Sequence, residues 1–142
     1  MDGKPRLLLA EDSPVMARQL RLLLSQDFEV VGLVTDGESV LSALDALTPD
    51  VLVTDISMPG IDGLAAAERA LRAHPDLRVV FITVHDEPGL VARARALPHT
   101  AYVLKADAGD ALPAAVEAVL AGRWFESASI HREKVRLEKG RK

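Results

Sequence analysis

Glu11-Asp12, Asp55, Thr83 and Lys105 each stand where one of four short apolar runs stops: Leu7-Leu8-Leu9-Ala10, Val51-Leu52-Val53-Thr54, Val79-Val80-Phe81-Ile82 and Ala101-Tyr102-Val103-Leu104. An acid after a strand commonly just begins a turn. Three carboxylates, a hydroxyl and an ammonium at four such ends point instead to one site. Carboxylates held within a few Å repel one another, so at least one pKa rises unless a cation sits among them. Only oxygen ligands are offered, because the chain has no cysteine and none of its four histidines stands at metal-ligand spacing. A hard octahedral ion such as Mg²⁺ fits that donor set best. It keeps several waters and asks for few carboxylates, which leaves room for a phosphoryl oxygen. Lys105 adds a second positive charge, and the Thr83 hydroxyl can donate a hydrogen bond. Asp55 is then placed as a nucleophile that forms an aspartyl phosphate.

Residues so far apart meet only if the chain folds in a particular way. Arg6–Ala10 reads as a strand covered on both faces, followed by a helix with Ser13 at its N-cap, Pro14 in its first turn and an end near Gln26. Residues 28–34 form the next strand, and Thr35 to Glu38 has capping-box spacing ahead of Val40, Leu41, Leu44 and Leu47. Strand 51–54 breaks at Pro59-Gly60, and Leu64, Ala67 and Leu71 mark a third helix that ends by Pro75. Strand 79–83, a small-residue helix opened by Pro88, strand 101–104 and a helix stopping at Gly122 complete the alternation. Pro113 lies early in that last helix and costs a backbone hydrogen bond.

Five strand–helix alternations predict an α/β fold, a doubly wound parallel sheet of five strands flanked by five helices. In such sheets the functional crevice lies beyond the carboxyl ends of the strands, where strand order reverses. The second strand ends on the bland Val34, so the order 2-1-3-4-5 puts it at an edge and lets the other four ends converge.

Composition narrows the function classes. The chain is 142 residues long and 49% hydrophobic, enough to bury a core without disulfides. A net charge of −4 argues against a nucleic-acid surface over most of it. No apolar run approaches membrane-spanning length, and the N-terminus leads into a run of only four apolar residues before Glu11, which argues against a secretory signal. A cytoplasmic location is therefore expected. Residues 1–125 are expected to form the domain. Apolar periodicity fades from Ser127, so 126–142, rich in Lys and Arg beyond His131, is expected to be a charged linker or tail.

Glu11-Asp12, Asp55 with Met58-Pro59-Gly60 and Asp62-Gly63-Leu64, Thr83, and Tyr102 three residues before Lys105 together resemble the receiver domain of two-component response regulators, the flavodoxin-like or CheY-like fold. The segments from Tyr102 to Asp107 and from Ala121 to Phe125 resemble the NarL/FixJ (LuxR-type) branch. Members of that branch usually carry a C-terminal helix-turn-helix domain, so DNA contact and transcription regulation would belong to a domain outside this chain. The resemblance implies that Asp55 accepts phosphate from a sensor histidine kinase, with Mg²⁺ held by Glu11, Asp12, Asp55 and the Ser57 backbone carbonyl. It implies that Lys105 contacts the phosphoryl group, that Thr83 is drawn toward it and that Tyr102 changes rotamer. Ser57 and His85, two residues beyond Asp55 and Thr83, occupy positions that set how fast the phosphate is hydrolysed. Such a protein is no enzyme in the ordinary sense: it catalyses only its own phosphorylation and slow autodephosphorylation, and homodimerises in some cases. Two positions depart from the family pattern: Val84 where Ala or Gly is usual, and Pro98-His99-Thr100-Ala101 in place of a glycine-containing turn.

Two other readings share part of this pattern. A haloacid-dehalogenase-type phosphohydrolase also forms an aspartyl phosphate, but places a second acid where this chain has Ser57, and the chain leaves no room for a cap domain. A pseudo-receiver would bind partners without accepting phosphate, yet no site residue is missing.

Overall fold

Strands built from consecutive apolar residues have two faces to bury, and this chain buries both. The computed structural model describes residues 3–130. Its elements run β1 (Arg6–Ala10), α1 (Pro14–Leu24), β2 (Glu29–Val34), α2 (Gly37–Leu47), β3 (Val51–Asp55), α3 (Gly63–Ala73), β4 (Arg78–Thr83), α4 (Pro88–Arg95), β5 (Thr100–Leu104), a 3₁₀ turn (Lys105–Asp107), α5 (Ala108–Leu120) and β6 (Phe125–Glu126). The sheet order is β2-β1-β3-β4-β5-β6, with every pair parallel. The expected five strands stand in the expected order. β6 is an addition, a two-residue strand whose shortness hides any alternation that would have announced it.

The pleat sorts the core into two layers. Leu7, Leu9, Val53, Val80, Ile82 and Val103 face α1 and α5, meeting Leu20, Leu24, Leu112, Val116 and Val119. Leu8, Leu52, Val79, Phe81 and Tyr102 face α2, α3 and α4, meeting Val40, Leu44, Leu64, Ala67 and Ala94. The helices start where side chains can take up orphan amides. Ser13 Oγ accepts from the Met16 amide at 3.3 Å, and Asp62 Oδ1 from the Ala65 amide at 2.7 Å. At α2 the cap is Asp36, whose Oδ1 accepts from the Ser39 amide at 2.8 Å, rather than the Thr35 expected from the capping-box spacing. α5 runs through Pro113, so one amide is missing from its ladder, and the 3₁₀ turn ahead of it brings the chain into the helix.

Residues 126–130, expected to belong to a solvated tail, are packed on the domain. Glu126 lies in β6, Ser127 is 0% exposed, and Ile130 joins the core layer beneath α4. Residues 131–142 lie outside the described residues. Among the described residues no helix is long and apolar enough to cross a membrane.

Gly63 shows how tightly the site's floor is built. Its amide donates to the Ile56 carbonyl at 2.8 Å, and an added Cβ would collide with the Asp55 carbonyl oxygen. Backbone cannot yield as a side-chain tip can. Gly63→Ala is expected to lower stability by about 1–3 kcal/mol in urea denaturation. Gly89→Ala, in α4 with open space around its Cα, is expected to be neutral or to stabilise by about 0.5–1 kcal/mol.

Candidate functional site

Parallel pairing carries the four strand ends to one rim. Ala10 stands opposite Thr54, Asp55 opposite Ile82, and Thr83 opposite Leu104, so the residues that follow β1, β3, β4 and β5 emerge side by side. β3 is central among these and is buried along its whole length, delivering Asp55 at 4% exposure.

The predicted residues meet there. Lys105 Nζ lies 2.8 Å from Asp55 Oδ2 and 3.0 Å from Glu11 Oε1. Asp12 completes the acidic group from the exposed side: one carboxylate oxygen from each of Glu11, Asp12 and Asp55 lies within 4.8 Å of the others. Backbone amides hold the carboxylates in place, Ser13 N donating to Glu11 Oε2 at 3.0 Å and Ser57 N to Asp55 Oδ1 at 3.1 Å. Glu11 Oε1 is buried, and its one near partner is the Lys105 ammonium, an ion pair at 3.0 Å whose alignment is poor for a hydrogen bond. An under-satisfied buried oxygen among carboxylates is what a hard cation would occupy. The residues present therefore fit Mg²⁺.

The electrostatics follow from burial and crowding. Burial pushes the Glu11 carboxyl above the usual glutamate range and the Asp55 charge adds to it, while the Ser13 amide and Lys105 pull the other way. For Lys105 burial works against the charge, but hydrogen bonds and the negative charges of Asp55 and Glu11 outweigh it and raise the pKa. The ammonium thus stays charged throughout the neutral range.

A second tier of contacts links the site to the loop after β4. Thr83 Oγ1 accepts from the His85 amide at 3.1 Å, which leaves the hydroxyl hydrogen free to point elsewhere. His85 Nε2 and Ser57 Oγ are hydrogen-bonded at 2.8 Å, so the two residues singled out in the sequence touch across the mouth of the site. His85 Nδ1 faces Glu87 Oε1 at 3.4 Å. Tyr102 is buried, not extended into solvent, and its hydroxyl donates to the His85 carbonyl at 2.7 Å. Burial pushes its pKa up, with Glu87 and Asp86 adding to the effect, so it remains a donor.

The two departures from the family pattern take clear forms. Val84 is 70% exposed, at solvent instead of packed in the core beside Thr83. His99 adopts φ +55°, so the turn before β5 keeps the left-handed geometry that glycine would favour. The contact of Ser57 with His85 and the burial of Ser127 carried no sequence signal, since both depend on loops whose paths periodicity does not encode.

Comparison with known proteins agrees with this geometry. A family profile described as the response regulator receiver domain matches residues 7–117. The response regulator GacA of Pseudomonas viridiflava is 32% identical over 127 residues, which cover 88% of this chain and 59% of GacA. The transcriptional regulatory protein DegU of Brevibacillus brevis is 28% identical over 123 residues, 85% of this chain and 52% of DegU. The chain thus spans just over half the length of these curated relatives. Among solved structures, a LuxR-family two-component response regulator from Aurantimonas sp. SI85-9A1 superposes with a TM-score of 0.88 at 26% identity, covering 96% of this chain and 99% of that one. The isolated receiver domain of RcsB from Salmonella enterica serovar Typhimurium, with the phosphomimetic BeF₃⁻, superposes with a TM-score of 0.83 at 29% identity, covering 92% and 98%. Neither the phosphohydrolase nor the pseudo-receiver alternative is favoured by these matches. The chain belongs to the response regulator receiver domain family, and its relatives are regulators of the NarL/FixJ (LuxR-type) branch.

Proposed function

We propose that Asp55 is the phosphoacceptor of this receiver, that a sensor histidine kinase is the donor, and that the reaction requires Mg²⁺ held by Glu11, Asp12, Asp55 and the Ser57 carbonyl. The observation that carries this reading is the placement of the Lys105 ammonium 2.8 Å from Asp55 Oδ2 within the ring of three carboxylates. An Asp55 oxygen attacks phosphorus, the P–N bond to the donor imidazole breaks, and the imidazole leaves with the electron pair. Bound Mg²⁺ supplies the neutralising charge that lets an anion approach three carboxylates. Lys105 exchanges its contact with the carboxylate for one with a phosphoryl oxygen. The free hydroxyl hydrogen of Thr83 donates to another. Asp55, Thr83 and Lys105 thus carry the chemistry, with Tyr102 and Thr83 as the switch and Ser57 and His85 tuning hydrolysis of the acyl phosphate.

Moving a two-state equilibrium from mostly off to mostly on takes a differential of about 5.5 kcal/mol. Hydrogen bonds to charged groups at about 1.5–3 kcal/mol each reach that with two or three contacts. The output follows the relatives: dimers of RcsB are bound to DNA in a solved structure at 30% identity and a TM-score of 0.83. The receiver extends past residue 125 to Ile130, which packs in its core, and its output would pass to a DNA-binding domain outside this chain. Phosphorylation-linked homodimerisation and a cytoplasmic setting complete the proposal.

Incubation with acetyl phosphate and Mg²⁺ is expected to add one phosphate by intact mass, and Asp55→Asn or chelation of Mg²⁺ to abolish it. Steady turnover of many phosphate esters would favour the phosphohydrolase; no adduct under any condition would favour the pseudo-receiver. Lys105→Met leaves two buried carboxylates without their counter-charge and is expected to cost about 3 kcal/mol of stability in Mg²⁺-free buffer. Mg²⁺ should restore part of that loss. In calorimetric titration, Asp12→Asn is expected to weaken Mg²⁺ binding roughly tenfold or more, equivalent to about 1.4 kcal/mol.

A further inference from the structure

The edge of β5 that lies away from β4 is filled by the chain's own continuation. β6 pairs with β5 through Ala101 opposite Phe125 and Tyr102 opposite Glu126. Beyond it, Ser127 N donates to the Tyr102 carbonyl at 3.0 Å, and the Leu104 amide donates to Ser127 Oγ at 3.1 Å. Ser129 then binds Asp107, its amide to Oδ2 at 3.1 Å and its hydroxyl to Oδ1 at 2.8 Å. On the outer side the Arg95 guanidinium lies 5.3 Å over the Trp124 ring and 3.6 Å from Glu126 Oε1. Ile130 is buried in the same core layer as Tyr102 and Ala94.

These anchor points are not scattered. Tyr102, Leu104 and Asp107 bracket Lys105, whose ammonium holds Asp55, and the Tyr102 hydroxyl is pinned to the His85 carbonyl in the loop that follows Thr83. The segment is therefore tied to the backbone that sets where Lys105 and Tyr102 point. Ser127 is fully buried although it lies past α5, so the strap is held by specific bonds and not draped over the surface.

We propose that residues 124–130 form a latch whose seating is coupled to occupancy of the Asp55–Lys105 site. This inference rests on the phosphoacceptor reading for its natural trigger. The seated latch uses the inward Tyr102 and the present course of 102–107, so a ligand that fastens Lys105 and Thr83 in that arrangement tightens the latch. Linkage makes the effect reciprocal: loosening the latch weakens ligand binding by the same factor.

Hydrogen exchange of the intact chain tests it, with beryllofluoride plus Mg²⁺ as the probe. Protection of the Ser127 and Leu104 amides is expected to rise at least fivefold on binding, while β1 and β2 amides change less. Fluorescence of Trp124, the chain's single tryptophan, should shift in parallel. The double variant Ser127→Ala/Ile130→Ala, which touches none of the proposed ligand groups, should bind beryllofluoride at least threefold more weakly and still gain one phosphate from acetyl phosphate. Phosphate uptake with unchanged latch protection and unchanged affinity overturns the latch and leaves the phosphoacceptor reading standing. Absence of any adduct or beryllofluoride binding sinks that reading instead, and the latch is then judged on Lys105→Met. That variant is expected to speed exchange at Ser127 fivefold beyond any change in β1; equal changes at both overturn the latch independently.

Discussion

One lysine between two buried carboxylates is the constraint on which the rest of the structure depends. Glu11 and Asp55 are withdrawn from water at the ends of two neighbouring strands, where two like charges repel unless a positive charge stands between them. Lys105 supplies it, with a side chain 16% exposed. The arrangement is only partly satisfied, since Glu11 Oε1 has the ammonium's charge and no aligned hydrogen bond.

That constraint reaches into the topology. Asp55 and Glu11 come from adjacent strands, but Lys105 must arrive from β5, on the far side of β4. A parallel sheet solves this because every strand ends at the same rim, and right-handed crossovers through helices return the chain to its other end each time. The strands can then be apolar on both faces, since polar chemistry is confined to their ends. Gly63 belongs to the same solution: α3 approaches the end of β3 so closely that the Asp55 carbonyl leaves no room for a Cβ, which fixes the backbone of the loop between them.

Where one physical signal dominated, the sequence was sufficient. The five long strands were legible from continuous apolar runs, the start of α1 from Ser13-Pro14, and the convergence of Glu11, Asp12, Asp55 and Lys105 from the strand order. Competing local choices were not legible. Thr35 and Asp36 are both capable caps, and the backbone selects Asp36. β6 has two residues, too few for a period, and the burial of Ser127 and Ile130 depends on the open edge of β5, a feature of the assembled sheet. His99 is similar: nothing in its side chain announces φ +55°, which the join between α4 and β5 imposes on it.

The same distinction explains where the molecule can move. α4 has eight residues, one of them fully buried, and Glu87 at its N-cap makes no side-chain bond to the first turn. The loop entering it holds His85, which touches Ser57 through its ring, Thr83 through its amide and Tyr102 through its carbonyl. Local opening is least costly where few apolar contacts and uncapped amides coincide, and here α4 packs through Ala94 with Leu90 and Val91 only partly buried, while the loop entering it is fastened by hydrogen bonds to the site. Hydrogen bonds can be exchanged one for another when a charge arrives, whereas a close-packed layer resists continuous deformation. The side of the sheet bearing α1 and α5, sealed by leucine and valine, is by contrast a close-packed layer of apolar side chains with no such exchangeable bonds to the site.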